Sequence, residues 1–331
     1  MQIERGMKDK ILRILFFIQS LGFMKALKLL WLTHISIQHA GSKDKMFRSL
    51  NRKHGIINEF IDRNLAFARY GLFKDSAISL IAPPRLQDWS KANARKILWV
   101  FWWQGENKMP DAVKACYRNL KKFSNGWNVV LLTKDNISDY IVLPNDVLKD
   151  VGKTKSFTHL SDYIRLALLS EYGGFWIDST IYVTRPLPRP EDITPFFTIR
   201  NEVRDNKCIG QYRWFVSLLY VSPNSTWMQH ICNMFQYNWT HYKYIIDYLL
   251  MDYMFDYEQD HNATFNHLIE NNKFNNPDCL SIAEHFNEPF SQEKWKEWLS
   301  KTQFFKLTYK GKLIKEINNH PTFYGHILNT Q

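Results

Sequence analysis

The chain has 331 residues, a net charge of +11, 45% hydrophobic, 23% charged and 15% aromatic residues. That balance excludes a disordered chain and leaves length for one large or two smaller domains with a sizeable core. Four widely spaced cysteines (Cys116, Cys208, Cys232, Cys279) with no C-x-x-C pair argue against a zinc site. With no recognisable signal peptide, they fit a reducing, cytoplasmic setting.

The charge is uneven. Residues 1–80 hold 14 Lys and Arg against 6 Asp and Glu, so +8 of the +11 sits there and +3 is left for the rest. A nucleic-acid enzyme more often carries its basic surface around its site, so no nucleic-acid partner is expected. The excess at one end points to an anionic surface met by a terminal module. Residues 7–39 read as helical, with Ile11, Leu12, Ile14, Leu15, Ile18, Leu21, Leu27, Leu30 and Trp31 punctuated by Lys8, Lys10, Arg13, Lys25 and Lys28. The longest uncharged run before Lys25, Ile14 to Met24, is 11 residues. A membrane-spanning helix needs about 20. The pattern suits a helix lying on an anionic membrane surface, or an amphipathic pair packed on the rest of the protein; the two are compatible. Residues 43–80 continue as helix, clearest from Asn58 to Leu72, and Pro83-Pro84 ends it. A boundary near residue 90 divides a basic helical module, 1–90, from a domain at 91–331.

Lys96 to Trp103, KILWVFWW, reads as a buried strand broken by Gln104-Gly105. Pro110 to Lys122 reads as a helix with proline at its start, and Trp127 to Thr133 as a second buried strand. Strand, helix, strand implies a parallel pair with a right-handed crossover. Residues 134–158 are a loop-rich and helical link, with Pro144 in a short turn. A helix then a short strand follow in His159 to Asp178, and Ile181 to Thr184 continues as strand. Phe196 to Arg200, Val216 to Val221 and Phe304 to Tyr309 read as strands. Asn224 to Asn238, His241 to Phe255 and Phe290 to Lys301 read as helices, and Asn318 to Leu328 as an aromatic loop. The order predicts an α/β layered domain, whose ligands sit beyond the carboxyl ends of the strands at a switch point.

The segment HLSDYIRLALLSEYGGFWIDST, His159 to Thr180, concentrates the chemistry. Asp162 and Arg165, three apart, share a helix face. So apolar a helix places the pair at a cleft; a surface ion pair is the plainer alternative. Gly173-Gly174 ends the helix, and Gly174 lets backbone pass close to a ligand. Phe175-Trp176-Ile177 then delivers Asp178 to a strand end, where a turn or capping aspartate is the plainer role.

The run S-D-x-x-R-x-x-L-L-x-x-x-G-G-x-W-x-D stands here as Ser161, Asp162, Arg165, Leu168, Leu169, Gly173, Gly174, Trp176 and Asp178. It resembles glycosyltransferase family 32, in its capsular polysaccharide synthesis branch, and is similar to the glucosylating toxins and fungal mannosyltransferases. The resemblance runs more loosely from about Lys96 to Pro186. It implies a GT-A (Rossmann-like) fold and a nucleotide-sugar donor, with UDP favoured over GDP. It also implies transfer of a hexose, with retention at the anomeric carbon, to a saccharide acceptor. That acceptor is expected to be a lipid-linked capsular or cell-wall repeat unit, and the enzyme to sit peripherally on the inner face of the cell membrane.

By the same resemblance Trp102 stacks on the base, with Gln104 beside it. Asp162 and Arg165 hold the sugar and pyrophosphate, Gly174 and Thr180 complete the donor site, and Asp178 contacts ribose and sugar. Asp178 opens the family's D-x-D element, which bears on a divalent cation, Mn²⁺ or Mg²⁺. Here Thr180 replaces its second acid, which weakens that expectation. His320, in NNHPTFYGH, is the late candidate for the metal, and a plain loop histidine otherwise. Lys306 and Lys310, in FFKLTYK, are candidates for neutralising phosphate. Asp252, in YLLMDYMFDY, is a candidate catalytic acid facing the acceptor. A non-catalytic membrane-associated binding or scaffold protein on a decayed transferase fold is the alternative that Thr180 motivates.

Overall fold

A computed structural model describes residues 2–38, 43–71, 96–143, 145–202 and 207–329. Pro83-Pro84 and the expected boundary near residue 90 lie outside the described residues. Three helices open the chain: α1 (Gln2–Leu21), α2 (Phe23–Gln38) and α3 (Lys43–Asn64). Gly22, at φ 78°, turns the chain between α1 and α2. These are helices without the apolar length to cross a membrane; among the described residues none has it.

The apolar runs become β1 (Ile97–Phe101) and β2 (Asn128–Leu132), joined by α4 (Asp111–Lys122). A short α5 (Asn145–Asp150) precedes α6 (Phe157–Glu171), which leads into β3 (Gly174–Ile177) and β4 (Ile181–Val183). Then come β5 (Phe196–Thr198), β6 (Leu218–Val221), α7 (Thr226–His241), α8 (Leu250–His261), α9 (Ala263–Asn271), α10 (Ser281–Glu284) and α11 (Gln292–Lys301). The chain closes with β7 (Phe304–Lys306), β8 (Glu316–Ile317), β9 (His320–Pro321) and α12 (Phe323–Asn329).

The main sheet runs β2-β1-β3-β6-β5. β1 pairs in parallel with β2 on one side, Leu98 opposite Val129, and with β3 on the other, Leu98 opposite Phe175. β6 pairs antiparallel with both β3 and β5. The strand order therefore reverses at β1, and the carboxyl ends of β1 and β3 open a crevice between them.

Alternation along these strands splits the core in two. Ile97, Trp99, Trp176 and Leu219 face the layer of α6, α7 and α8, into which Phe16, Leu29, Ile57 and Phe60 of α1–α3 also pack. Leu98, Val100, Phe175 and Leu218 face the α4 side. The seam between α3 and α8 is polar as well: His54 Nδ1 meets the Tyr253 hydroxyl at 2.7 Å, and Asn58 donates to Asp256 at 3.0 Å. A second ribbon pairs β4 with β7 antiparallel, Ile181 opposite Lys306. That pairing brings the late chain back to the end of β3.

Two segments differ from the sequence reading. Residues 242–249 are not helix, because Tyr244, Ile245 and Ile246 are buried as an irregular stretch and the Asp247 side chain accepts from Leu249 N–H at 2.9 Å just ahead of α8. The tail expected as loop forms α12, with the Thr322 hydroxyl accepting from Gly325 N–H at 3.0 Å in its first turn.

Candidate active site

Helix α6 carries the first two groups. Ser156 caps it, accepting from His159 N–H at 3.2 Å in a reciprocal capping box. Asp162 and Arg165, five and eight residues into the helix, are both buried. Arg165 spans two elements: Nη1 donates to Asp162 Oδ1 at 2.9 Å, and Nη2 to Asp178 Oδ1 at 2.8 Å. Its guanidinium lies 4.9 Å from the centre of the Trp176 ring. A surface ion pair is thereby excluded for Asp162 and Arg165.

Asp178 stands just past β3. The Trp176 indole N–H donates to its Oδ1 at 2.8 Å, and Lys306 Nζ to its Oδ2 at 2.7 Å. Lys306 arrives through the β4–β7 ribbon, 128 residues later in the chain. Its neighbour Leu307 donates its N–H to the Thr180 carbonyl at 2.8 Å, which locks the ribbon beside the site.

These groups line one cavity of about 740 Å³ at the carboxyl ends of β1 and β3. Of the expected residues, Trp102, Gln104, Asp162, Arg165, Asp178, Thr180, Asp252, Lys306 and Lys310 all line it. Gly174 does not. A Cβ there would lie 2.7 Å from the Ile97 carbonyl oxygen, so the glycine allows close approach of β3 to β1 and not to a ligand. His320 is exposed on β9 and is also outside the cavity lining.

Sequence reasoning missed part of the wall. Trp214 donates its indole N–H to Asp252 Oδ1 at 3.0 Å and lines the cavity. Phe157, Tyr248 and Tyr309 line its rim while remaining exposed. Phe157, Thr158 and Ser161 share the face of α6 that carries Asp162 and Arg165, a spacing that the sequence does display. Trp214 and Tyr248 carry no such local signal.

Electrostatics separate the three carboxylates. Burial raises Asp162 to about 7, with Asp252 and Asp178 adding to the rise and Arg165 opposing it. Burial likewise raises Asp252 to about 6, against the Trp214 hydrogen bond and Arg165. At Asp178 burial also pushes upward, but Lys306, Arg165 and the hydrogen bonds from Lys306 and Trp176 outweigh it and hold the carboxyl below its ordinary value. The cations thus favour the ionised form of Asp178, while burial favours the protonated forms of Asp162 and Asp252.

Mn²⁺ and Mg²⁺ require several oxygen donors at one point. Both Asp178 oxygens are already engaged by Arg165, Trp176 and Lys306, Thr180 supplies no carboxylate, and His320 is elsewhere. Among the described residues no three His, Cys, Asp or Glu side chains gather into a metal-ligating group. Of the expected pair, Asp178 lines the cavity and His320 does not. What the arrangement offers an anion is a pair of cations, Arg165 and Lys306, beside an aromatic wall.

A family model described as capsular polysaccharide synthesis protein matches residues 55–327. No curated protein and no solved structure matches the chain.

Proposed function

Because the chain belongs to the capsular polysaccharide synthesis protein family, we propose that it is a glycosyltransferase of family 32 with a GT-A fold. It moves a hexose from a nucleotide sugar, UDP-linked by preference, to a saccharide acceptor that is a lipid-linked capsular or cell-wall repeat unit. The observation that carries this reading is the convergence of Asp178, Arg165 and Lys306 at the β1/β3 crevice, in a cavity walled by Trp102.

Trp102 meets the base. It lines the cavity with its ring edge-on to Tyr309, centroids 5.4 Å apart. Asp178 contacts ribose and sugar through Oδ2, which takes one hydrogen bond, from Lys306, while Arg165 and Trp176 hold Oδ1. Transfer breaks the bond between the anomeric carbon and the diphosphate oxygen, and the electron pair leaves with the diphosphate. Lys306 and Arg165 stabilise that charge where it grows, the task a preorganised cationic site performs best. Lys310, on the same cavity wall, adds to the field. The acceptor hydroxyl forms the new bond on the face the leaving group vacates, which retains configuration. Its proton passes to Asp252, whose pKa near 6 leaves it ionised at neutral pH. The exposed rim of Phe157 and Tyr248 offers apolar faces to acceptor rings. No step is assigned to a metal ion.

Thermal unfolding of the full chain with UDP- and GDP-sugars, with and without EDTA, tests donor binding. A donor at 100 times its dissociation constant stabilises by about 2.7 kcal/mol. The expected result is a shift that EDTA leaves intact and Lys306→Ala reduces. A shift that needs Mn²⁺ and ignores Lys306 would show that the charge is met by metal instead.

A further inference from the structure

Helices α1 and α2 are apolar on two sides. One side is used: Phe16, Phe17, Ala26, Leu29 and Leu32 are buried in the core. The other is not. Ile11, Ile14 and Leu15 on α1, and Met24, Leu27 and Trp31 on α2, are 41–73% exposed. Their spacing of three and four residues gathers each set into one stripe, and the 3.6-residue period puts each stripe roughly opposite its buried set. Scattered apolar residues on a surface need no explanation; two such stripes on adjacent packed helices do.

Charge identifies the partner. Lys8 and Lys10 are exposed one turn ahead of Ile11 and Ile14, and Lys28 is exposed one turn ahead of Trp31. Cations therefore border the stripes instead of interrupting them. Lys25, which points the other way, is spent on an ion pair with Glu59 of α3. No helix among the described residues is long and apolar enough to cross a bilayer. An apolar stripe edged with lysines and presented by a helix too short to span fits the headgroup layer of an anionic bilayer.

We propose that the α1–α2 face docks the protein on an anionic lipid surface, with Ile11, Ile14, Leu15, Met24, Leu27 and Trp31 inserted at the acyl boundary and Lys8, Lys10 and Lys28 among the headgroups. Arg13 of α1 lines a small cavity with His159 of α6, and the His159 ring lies 5.5 Å from that of Tyr248 on the main cavity rim.

The test is co-sedimentation of the full chain with phosphatidylglycerol/phosphatidylcholine vesicles and with phosphatidylcholine vesicles. The expected result is binding to the anionic vesicles only. Ile14→Glu with Leu27→Glu, both at exposed positions, should abolish it with an unchanged melting temperature. Lys8→Gln with Lys28→Gln should weaken it about 25-fold, at about fivefold per lysine, the equivalent of about 1 kcal/mol each. The lysine pair keeps the test decisive if the glutamate variant unfolds. Failure of the wild type to bind, equal binding to both vesicles, or variants that bind like the wild type overturns the proposal. So does a wild-type dimer that the glutamate variant dissociates while vesicle binding persists, because a second copy would then be the occupant. None of these outcomes bears on donor binding.

Discussion

Asp162, Asp178 and Asp252 line one cavity but do not share its cations equally. Asp178 keeps its charge because it holds both cations directly. Asp162, 10% exposed and sharing Arg165 with Asp178, is the group that yields. Its folded pKa, about 7, lies above its ordinary 3.8. The folded state then binds a proton that the unfolded state has lost, so this group's contribution to stability falls as pH rises from about 4 to about 7 and is constant above. Asp178 acts in the opposite sense: its contribution is present above its unfolded pKa and is lost as pH falls through the lower folded value. Asp162→Asn removes the first dependence and keeps an oxygen for Arg165. Urea unfolding at a series of pH values should show the variant gaining on the wild type steadily from pH 4 to 7. A constant difference across that range would mean that Asp162 is ionised throughout.

At the scale of elements, the turn between α6 and β3 is a tight joint that sets the path of the chain to Asp178. Gly173 and Gly174 have φ of 66° and 96°. A Cβ on Gly173 would meet Pro223 N at 2.6 Å, and one on Gly174 the Ile97 carbonyl at 2.7 Å. Neither neighbour is a side chain that can swing away. Gly174→Ala should therefore cost about 2–4 kcal/mol by forcing β3 away from β1. It should also impair donor binding, because Asp178 follows four residues on. A variant with wild-type melting temperature would show that the strands have slack. This joint also shows what local pattern reveals. KILWVFWW, WNVVLLT and FWI are legible as strands because buried parallel strands are continuous apolar runs. The Gly-Gly break is legible as a helix stop. Its purpose is not: a ligand and a neighbouring strand both demand a missing Cβ, and only the β1 pairing tells them apart. Within FFKLTYK nothing local separates Lys306 from Lys310; the β4–β7 register does, placing Lys306 opposite Ile181 and against Asp178. His320, the late metal candidate, sits on the separate β8–β9 hairpin.

In the whole molecule, the basic helices and the sheet share one apolar core, from Phe16 and Phe60 through Tyr163 to Trp176. Phe60 is 1% exposed, with its ring 5.5 Å from Tyr242 at the end of α7. Phe60→Ala should cost about 3–5 kcal/mol, and a single unfolding transition should move as a whole. Two transitions, with only one displaced, would mean that α1–α3 unfold independently. Through α3 and α8 the opening helices join the core layer that also holds α6, the carrier of Asp162 and Arg165. Turnover decides whether this cavity transfers a sugar. The measurement is release of nucleoside diphosphate from UDP- and GDP-sugars by the full chain in the presence of saccharide acceptors, beside Asp178→Asn. The expected result is release by the wild type and a loss of about a hundredfold or more in the variant, the scale of removing one preorganised electrostatic group. Binding of a nucleotide sugar with no release under any acceptor would contradict it and favour the non-catalytic reading that Thr180 motivates; release undiminished in the variant would remove Asp178 from the chemistry.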